Sequence, residues 1–69
     1  MRFCDRLSQL RKEKGYNQTY VANYMGVTQV SVSNWERGFK EPSFKVLIEL
    51  TNFYGVSSDY LLGISDERK

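Results

Sequence analysis

Residues 17–38 read NQTYVANYMGVTQVSVSNWERG, and this stretch decides the fold. Asn17 is a good N-cap, because its side-chain oxygen accepts a bond from an otherwise unpaired N–H of the first helical turn. Val21, Ala22 and Met25 follow at the spacing of one helical face, and Gly26 stands where a left-handed residue ends a helix at little cost. Thr28 caps a second helix, Gln29 to Arg37, which Gly38 closes. With Gln29 at zero, Ser31, Trp35 and Val32 fall at about 200°, 240° and 300°, the inward face. Ser33, Arg37, Val30 and Asn34 fall at about 40°, 80°, 100° and 140°. The outer side therefore carries short hydrogen-bonding groups, one methyl-bearing residue and one Arg. A side meant only for water more often carries Glu and Lys, which hold a helix better than Ser, Asn and Val do.

Working outward, Phe3, Leu7, Leu10 and Lys14 recur on one face of a first helix, and Gly15 stops it. Phe39 to Pro42 reads as a turn, and Ser43 caps a helix whose inward stripe is Phe44, Leu47, Ile48, Thr51 and Tyr54, up to Gly55. Ser57 caps a last short helix through Leu62, with Asp59 suiting the positive end of its dipole. Ile64 to Lys69 are small or charged and are predicted to fray. The expectation is an all-α fold of five short helices, one domain over residues 1–63 with the helix-turn-helix at about 17–37, and a tail at 64–69.

Sixty-nine residues hold one small domain. A hydrophobic content of 41% with 26% charged residues is ordinary globular usage and excludes a disordered or low-complexity class. With no histidine and Cys4 as the single cysteine, one chain builds neither a disulfide framework nor a Cys/His zinc site. Cys4 reads as a small semi-buried residue with no catalytic partner. No phosphate-cradling glycine loop or activated nucleophile stands out, so no enzyme, cofactor, metal or small-molecule ligand is expected. The net charge of +2 is too small to name a partner, but residues 1–45 carry eight basic and four acidic side chains, +4, against −2 for the remainder. No apolar run approaches the roughly 20 residues of a membrane span. No leader pattern opens the chain, so the cytoplasm is the expected compartment.

Two short helices joined by a glycine-containing turn, the second with a polar outer face, are the sequence form of a DNA-binding helix-turn-helix. The run Tyr16-Asn17-Gln18, Val21-Ala22, Met25-Gly26-Val27-Thr28, Val32-Ser33, Trp35-Glu36-Arg37-Gly38, Pro42 and Gly55-Val56-Ser57 closely resembles the Cro and phage-repressor type, or XRE, family. The resemblance covers roughly Phe3 to Leu62. It implies a lambda-repressor-like five-helix domain, bacterial or phage-encoded and at the nucleoid when bound, that regulates transcription. It also implies a homodimer on double-stranded DNA, its third helix entering the major groove of an inverted-repeat operator. Base contacts carried over from the family fall at Gln29, Val30 and Asn34, with Ser33 alongside. Phosphate contacts fall at Asn17, Gln18 and Arg37, with Tyr20 and Lys40 as further candidates. The family often has a longer polar residue where Val30 stands, so this position has given up a hydrogen bond. Chemistry points the same way for the amides: Gln29 and Asn34 suit bidentate bonds to adenine, and Val30 suits a thymine methyl.

Arg11 lies about 40° from Leu7, beside an apolar stripe where an unpaired charge is costly. Its partner is either Glu36, as the resemblance implies, or a phosphate. Trp35, next to Val32, is expected in the core rather than stacked on a base. Tyr20 and Tyr24 lie outside the buried face of their helix, as plain exposed tyrosines or, for Tyr20, as a phosphate contact. Val46 and Phe53 lie on the back of the fourth helix and, with Tyr60 and Leu62, either cover one another or form a dimer surface. A dimer would set two reading helices about 34 Å apart, matching successive major grooves. The competing function is an antitoxin-like or anti-regulator module that uses the same fold to bind protein. RNA is disfavoured because no aromatic platform can be assembled.

Overall fold

Every N-cap expected from the sequence holds its hydrogen bond in the computed structural model, which describes residues 1–68. Asn17, Thr28, Ser43 and Ser57 accept the N–H of Tyr20, Ser31, Val46 and Tyr60 at 2.7, 3.1, 3.2 and 3.1 Å. The helices are α1 (Phe3–Lys14), α2 (Gln18–Met25), α3 (Gln29–Arg37), α4 (Phe44–Tyr54) and α5 (Ser58–Leu61). The sharp α2–α3 turn rests on Gly26, whose φ of 71° few side-chain-bearing residues tolerate. Its N–H donates to the Asn23 carbonyl, and that of Val27 to the Ala22 carbonyl, so two of the last carbonyls of α2 are satisfied.

One core joins Leu7 and Leu10 of α1, Val21, Ala22 and Met25 of α2, Val32 and Trp35 of α3, Leu50 and Tyr54 of α4, and Tyr60 and Leu61 of α5. Trp35 is buried, as its helical position requires. The whole domain measures 29 × 22 × 21 Å, so each helix contributes only two or three side chains to the centre and each of them matters. Full burial of a leucine is worth roughly 1.5–3 kcal/mol, which makes Leu7, Leu10, Leu50 and Leu61 the largest single contributors of that kind.

Four sequence expectations need correction. Lys14 is exposed and does not continue the α1 stripe; Cys4 and Arg6 take that flank instead, and both are buried. The α4 face is rotated. Phe44 and Ile48 are exposed, whereas Leu50 is fully buried and Val46, Leu47 and Phe53 pack against the core. Val46 and Phe53 therefore pack inward and are half-buried, and Tyr60 is buried, so of the four residues named for a possible dimer surface only Leu62 is exposed. The α5 helix stops at Leu61, and Leu62 is its cap.

Over its described residues, which leave out Lys69, the segment after α5 folds back against the domain. Ile64 and Ser65 donate backbone N–H groups to the Asp59 carbonyl at 2.9 and 3.2 Å, and Ser57 donates to the Arg68 carbonyl at 2.7 Å. Arg68 pairs with Glu13 at 2.9 Å and lies 5.3 Å from the Tyr60 ring centre. Beneath it, the buried Arg6 guanidinium sits 3.7 Å over the same ring, donates to the Tyr60 carbonyl at 3.1 Å and reaches Asp66 at 3.4 Å. A cation this buried needs such partners, because desolvation alone would expel it. Gly63, at φ 81°, lets the amino terminus close over this corner: a Cβ there would overlap the Met1 carbonyl oxygen.

Candidate nucleic-acid interface

The α3 helix is gripped from behind and open in front. Behind, Val32 and Trp35 anchor it in the core, and Glu36 binds Arg11 of α1 through two parallel bonds, Nε to Oε2 at 2.7 Å and Nη2 to Oε1 at 3.0 Å. This fork is the bidentate geometry that planar guanidinium and carboxylate favour. The pair is largely enclosed, with side-chain exposures of 13% and 5%, and Glu36 raises the Arg11 pKa. Arg11 also donates to the Tyr16 carbonyl at 2.9 Å, tying the start of α2 into the same cluster. Tyr54 lies buried beside it; desolvation, with the Glu36 charge second, drives its hydroxyl well above the ordinary tyrosine range. The alternative in which Arg11 reaches out to phosphate does not fit these bonds.

The network continues forward through Gln18. Its Nε2 donates to Glu36 Oε1 at 3.2 Å, and its Oε1 accepts from Gln29 Nε2 at 2.6 Å. Four side chains thus run in series from α1 to the exposed start of α3: Arg11, Glu36, Gln18, Gln29. Gln29 keeps its own carbonyl oxygen and one amide hydrogen free, the donor and acceptor that a bidentate base contact requires. Gln18 has spent most of its side chain internally; what it offers outward is its backbone N–H at the positive end of α2.

In front, Gln29 and Val30 are exposed, Val30 at 62%, and Ser33 and Asn34 are half-buried on the same outward side. Arg37 and Lys40 are exposed past the far end of that row. At the near end, Asn17 spends its side-chain oxygen on the cap and keeps its amide N–H groups. The structure thus brings Asn17, Gln18 and Gln29 to one corner and carries Val30, Ser33, Asn34 and Arg37 away from it along α3.

Tyr20 stands apart from that row. Its ring lies 4.7 Å from Tyr16 and 6.5 Å from Phe53, and Tyr24 lies 4.4 Å from Phe53, forming an aromatic stripe along the outer side of α2. Sequence reasoning missed this joining of α2 to α4 because it had turned Phe53 the other way. It also missed Gln18 as the hub between Glu36 and Gln29. The signal was present in the polar residue at the first position of each of two adjacent short helices.

A short helix laid across a second one, with the second held from behind and bare in front, defines a helix-turn-helix DNA-binding domain. The helix-turn-helix family model matches residues 7–61, and the chain belongs to that XRE-type family, one of DNA-binding regulators rather than enzymes. It is 42% identical over 60 residues to the SPbeta prophage-derived HTH-type transcriptional regulator YonR of Bacillus subtilis, covering 87% of this chain and 56% of that one. It is 33% identical over 64 residues to the cryptic phage CTXphi transcriptional repressor RstR of Vibrio cholerae, covering 93% of this chain and 58% of that one. The fold superimposes with a TM-score of 0.87 on the P22 c2 repressor in complex with a synthetic operator, at 31% identity over 94% of this chain and 98% of that one. The chain spans about half the length of the first curated relatives it matches. Among the described residues, no helix is long and apolar enough to cross a membrane.

Proposed function

We propose that the protein is a sequence-specific transcriptional regulator, acting as a repressor, that binds an inverted-repeat operator as a homodimer with α3 in the major groove. The observation that carries this reading is the series Arg11–Glu36–Gln18–Gln29, which fixes an exposed base-reading amide against the scaffold. Gln29, Val30, Ser33 and Asn34 face the bases: the amides take adenine edges and Val30 packs on a thymine methyl. Asn17, the backbone N–H of Gln18, Tyr20, Arg37 and Lys40 take phosphates, setting register and affinity while the base contacts set sequence choice. The kinship with phage and prophage regulators supports repression by occlusion, which asks nothing of the domain beyond binding. The working place of such a protein is the cytoplasm, on the nucleoid.

The dimer surface, on this reading, runs over the exposed Phe44, Ile48 and Leu62 rather than the inward Val46, Phe53 and Tyr60. Phe44 and Leu62 line one shallow apolar groove with Pro42 and Leu47. A two-fold contact through this face lets one patch serve both subunits.

The test is selection from a random duplex pool at two salt concentrations, followed by sequencing of the bound fraction. An enriched palindrome supports the reading. The protein-interaction alternative rests on the exposed Tyr20 and Tyr24, which flank the half-buried Phe53, and it prevails if no sequence is enriched while a protein partner is held independently of salt.

A further inference from the structure

The Arg37 guanidinium lies 4.3 Å from the centre of the Phe39 ring, and that ring is 66% exposed. An exposed phenylalanine adds little to the core, and among the described residues no other aromatic ring pairs with Phe39. Its backbone is nevertheless fixed: the Phe39 N–H donates to the Asn34 carbonyl at 2.9 Å, closing the last turn of α3. The ring is thereby attached to the end of the reading helix and turned back over Arg37.

A ring beneath a guanidinium attracts its charge without supplying the oxygen acceptors that its N–H groups seek. Among the described residues no carboxylate pairs with Arg37 and no acceptor takes its side-chain hydrogens. The contrast with Arg11 is direct, since Arg11 spends its edge on Glu36. Phosphate asks for that same edge, in the same fork geometry.

We propose that Phe39 is a positioning residue for phosphate binding: it holds the Arg37 guanidinium over its ring, in place to donate to the DNA backbone. This rests on the reading of Arg37 as a phosphate contact. Without the ring, Arg37 loses its fixed orientation and must be ordered at the moment of binding, at an entropic cost.

The experiment is a double-mutant cycle on a random-sequence duplex, with affinity measured by fluorescence anisotropy across a salt series. Phe39→Ala and Phe39→Leu are each expected to weaken binding about two- to fivefold, the scale of an exposed cation–π contact. Phe39→Trp, which offers a stronger π face, retains the affinity of the parent chain. In an Arg37→Ala background, Phe39→Ala has no further effect. Thermal unfolding of each variant stays at the parent value, as befits an exposed ring.

The proposal is overturned if Phe39→Leu binds like the parent, if Phe39→Trp fails to retain affinity, or if Phe39→Ala costs the same with Arg37 absent. If Arg37→Ala leaves both affinity and salt slope unchanged, the phosphate reading of Arg37 falls, and Phe39 falls with it. If Arg37→Ala lowers both and Phe39→Ala changes neither, only the positioning role is lost.

Discussion

Gln29 donates to Gln18 at 2.6 Å, so the first residue of α3 is held by the first residue of α2. Because Gln18 in turn donates to a Glu36 already locked by Arg11, the exposed Gln29 amide inherits its orientation from α1. Pre-ordering of this kind lowers the cost of binding without adding a contact.

Gln18→Ala removes that hold while leaving the Gln29 side chain in place. The expected result is a loss of about 1 kcal/mol on the selected duplex, the net worth of a typical hydrogen bond. The effect is non-additive with Gln29→Ala, because the two residues act as a unit. Anisotropy titrations of the single and double variants give the coupling; strictly additive losses would contradict it.

Glu36→Ala strands the enclosed Arg11 charge and the Gln18 amide. Removing one partner of such a pair costs about 3 kcal/mol of stability, a large share of what a domain of this size possesses. Urea unfolding and DNA affinity should fall together. A drop in affinity with an unchanged unfolding midpoint would make Glu36 a DNA contact rather than a brace.

The corrected α4 face separates two kinds of substitution. Leu50→Ala, at a site with no exposure, is expected to cost about 2–5 kcal/mol in chemical denaturation. Phe44→Ala and Ile48→Ala stay within about 0.5 kcal/mol of the parent as monomers and weaken self-association, read by sedimentation. Strong destabilisation by Phe44→Ala would restore the opposite face as the inner one.

Arg68 lowers the pKa of Glu13, chiefly through its hydrogen bond. A carboxyl whose folded pKa is lowered contributes stability above its unfolded value, about 4.3, and loses it as pH falls through the folded value. The contact between the tail and α1 is therefore complete at neutral pH and released only in acid, with a small effect because the pair is exposed. An NMR titration of Glu13 should show a midpoint below the ordinary glutamate value, rising toward it in Arg68→Ala. An identical midpoint in the variant would remove Arg68 as the cause.

The parts of the fold legible in the sequence were those decided locally. Asn17, Thr28, Ser43 and Ser57 announced their helices because an N-cap is a contact between neighbours in the chain. The α3 outer face was legible because its inner face had only Val32 and Trp35 to offer. On α4 the apolar residues run nearly all round, so two faces compete: Phe44, Leu47, Ile48, Thr51 and Tyr54, or Val46, Leu47, Leu50, Phe53 and Tyr54. Thr51 was the one discriminating residue, and its hydroxyl is in fact spent on the Ile48 carbonyl at 2.6 Å. The tail was illegible for a different reason: Arg6 meets Tyr60, and Arg68 meets Glu13, across most of the chain, which periodicity cannot register.

The central claim is that the outer side of α3 reads sequence. Its most direct test compares the parent chain with Gln29→Ala on the selected duplex and on a random one at the same salt. The expected result is a loss of about 1–3 kcal/mol on the selected site, relaxed preference at one base pair and little change on random DNA. An equal loss on both duplexes would contradict it, since Gln29 would then be holding the backbone rather than reading a base.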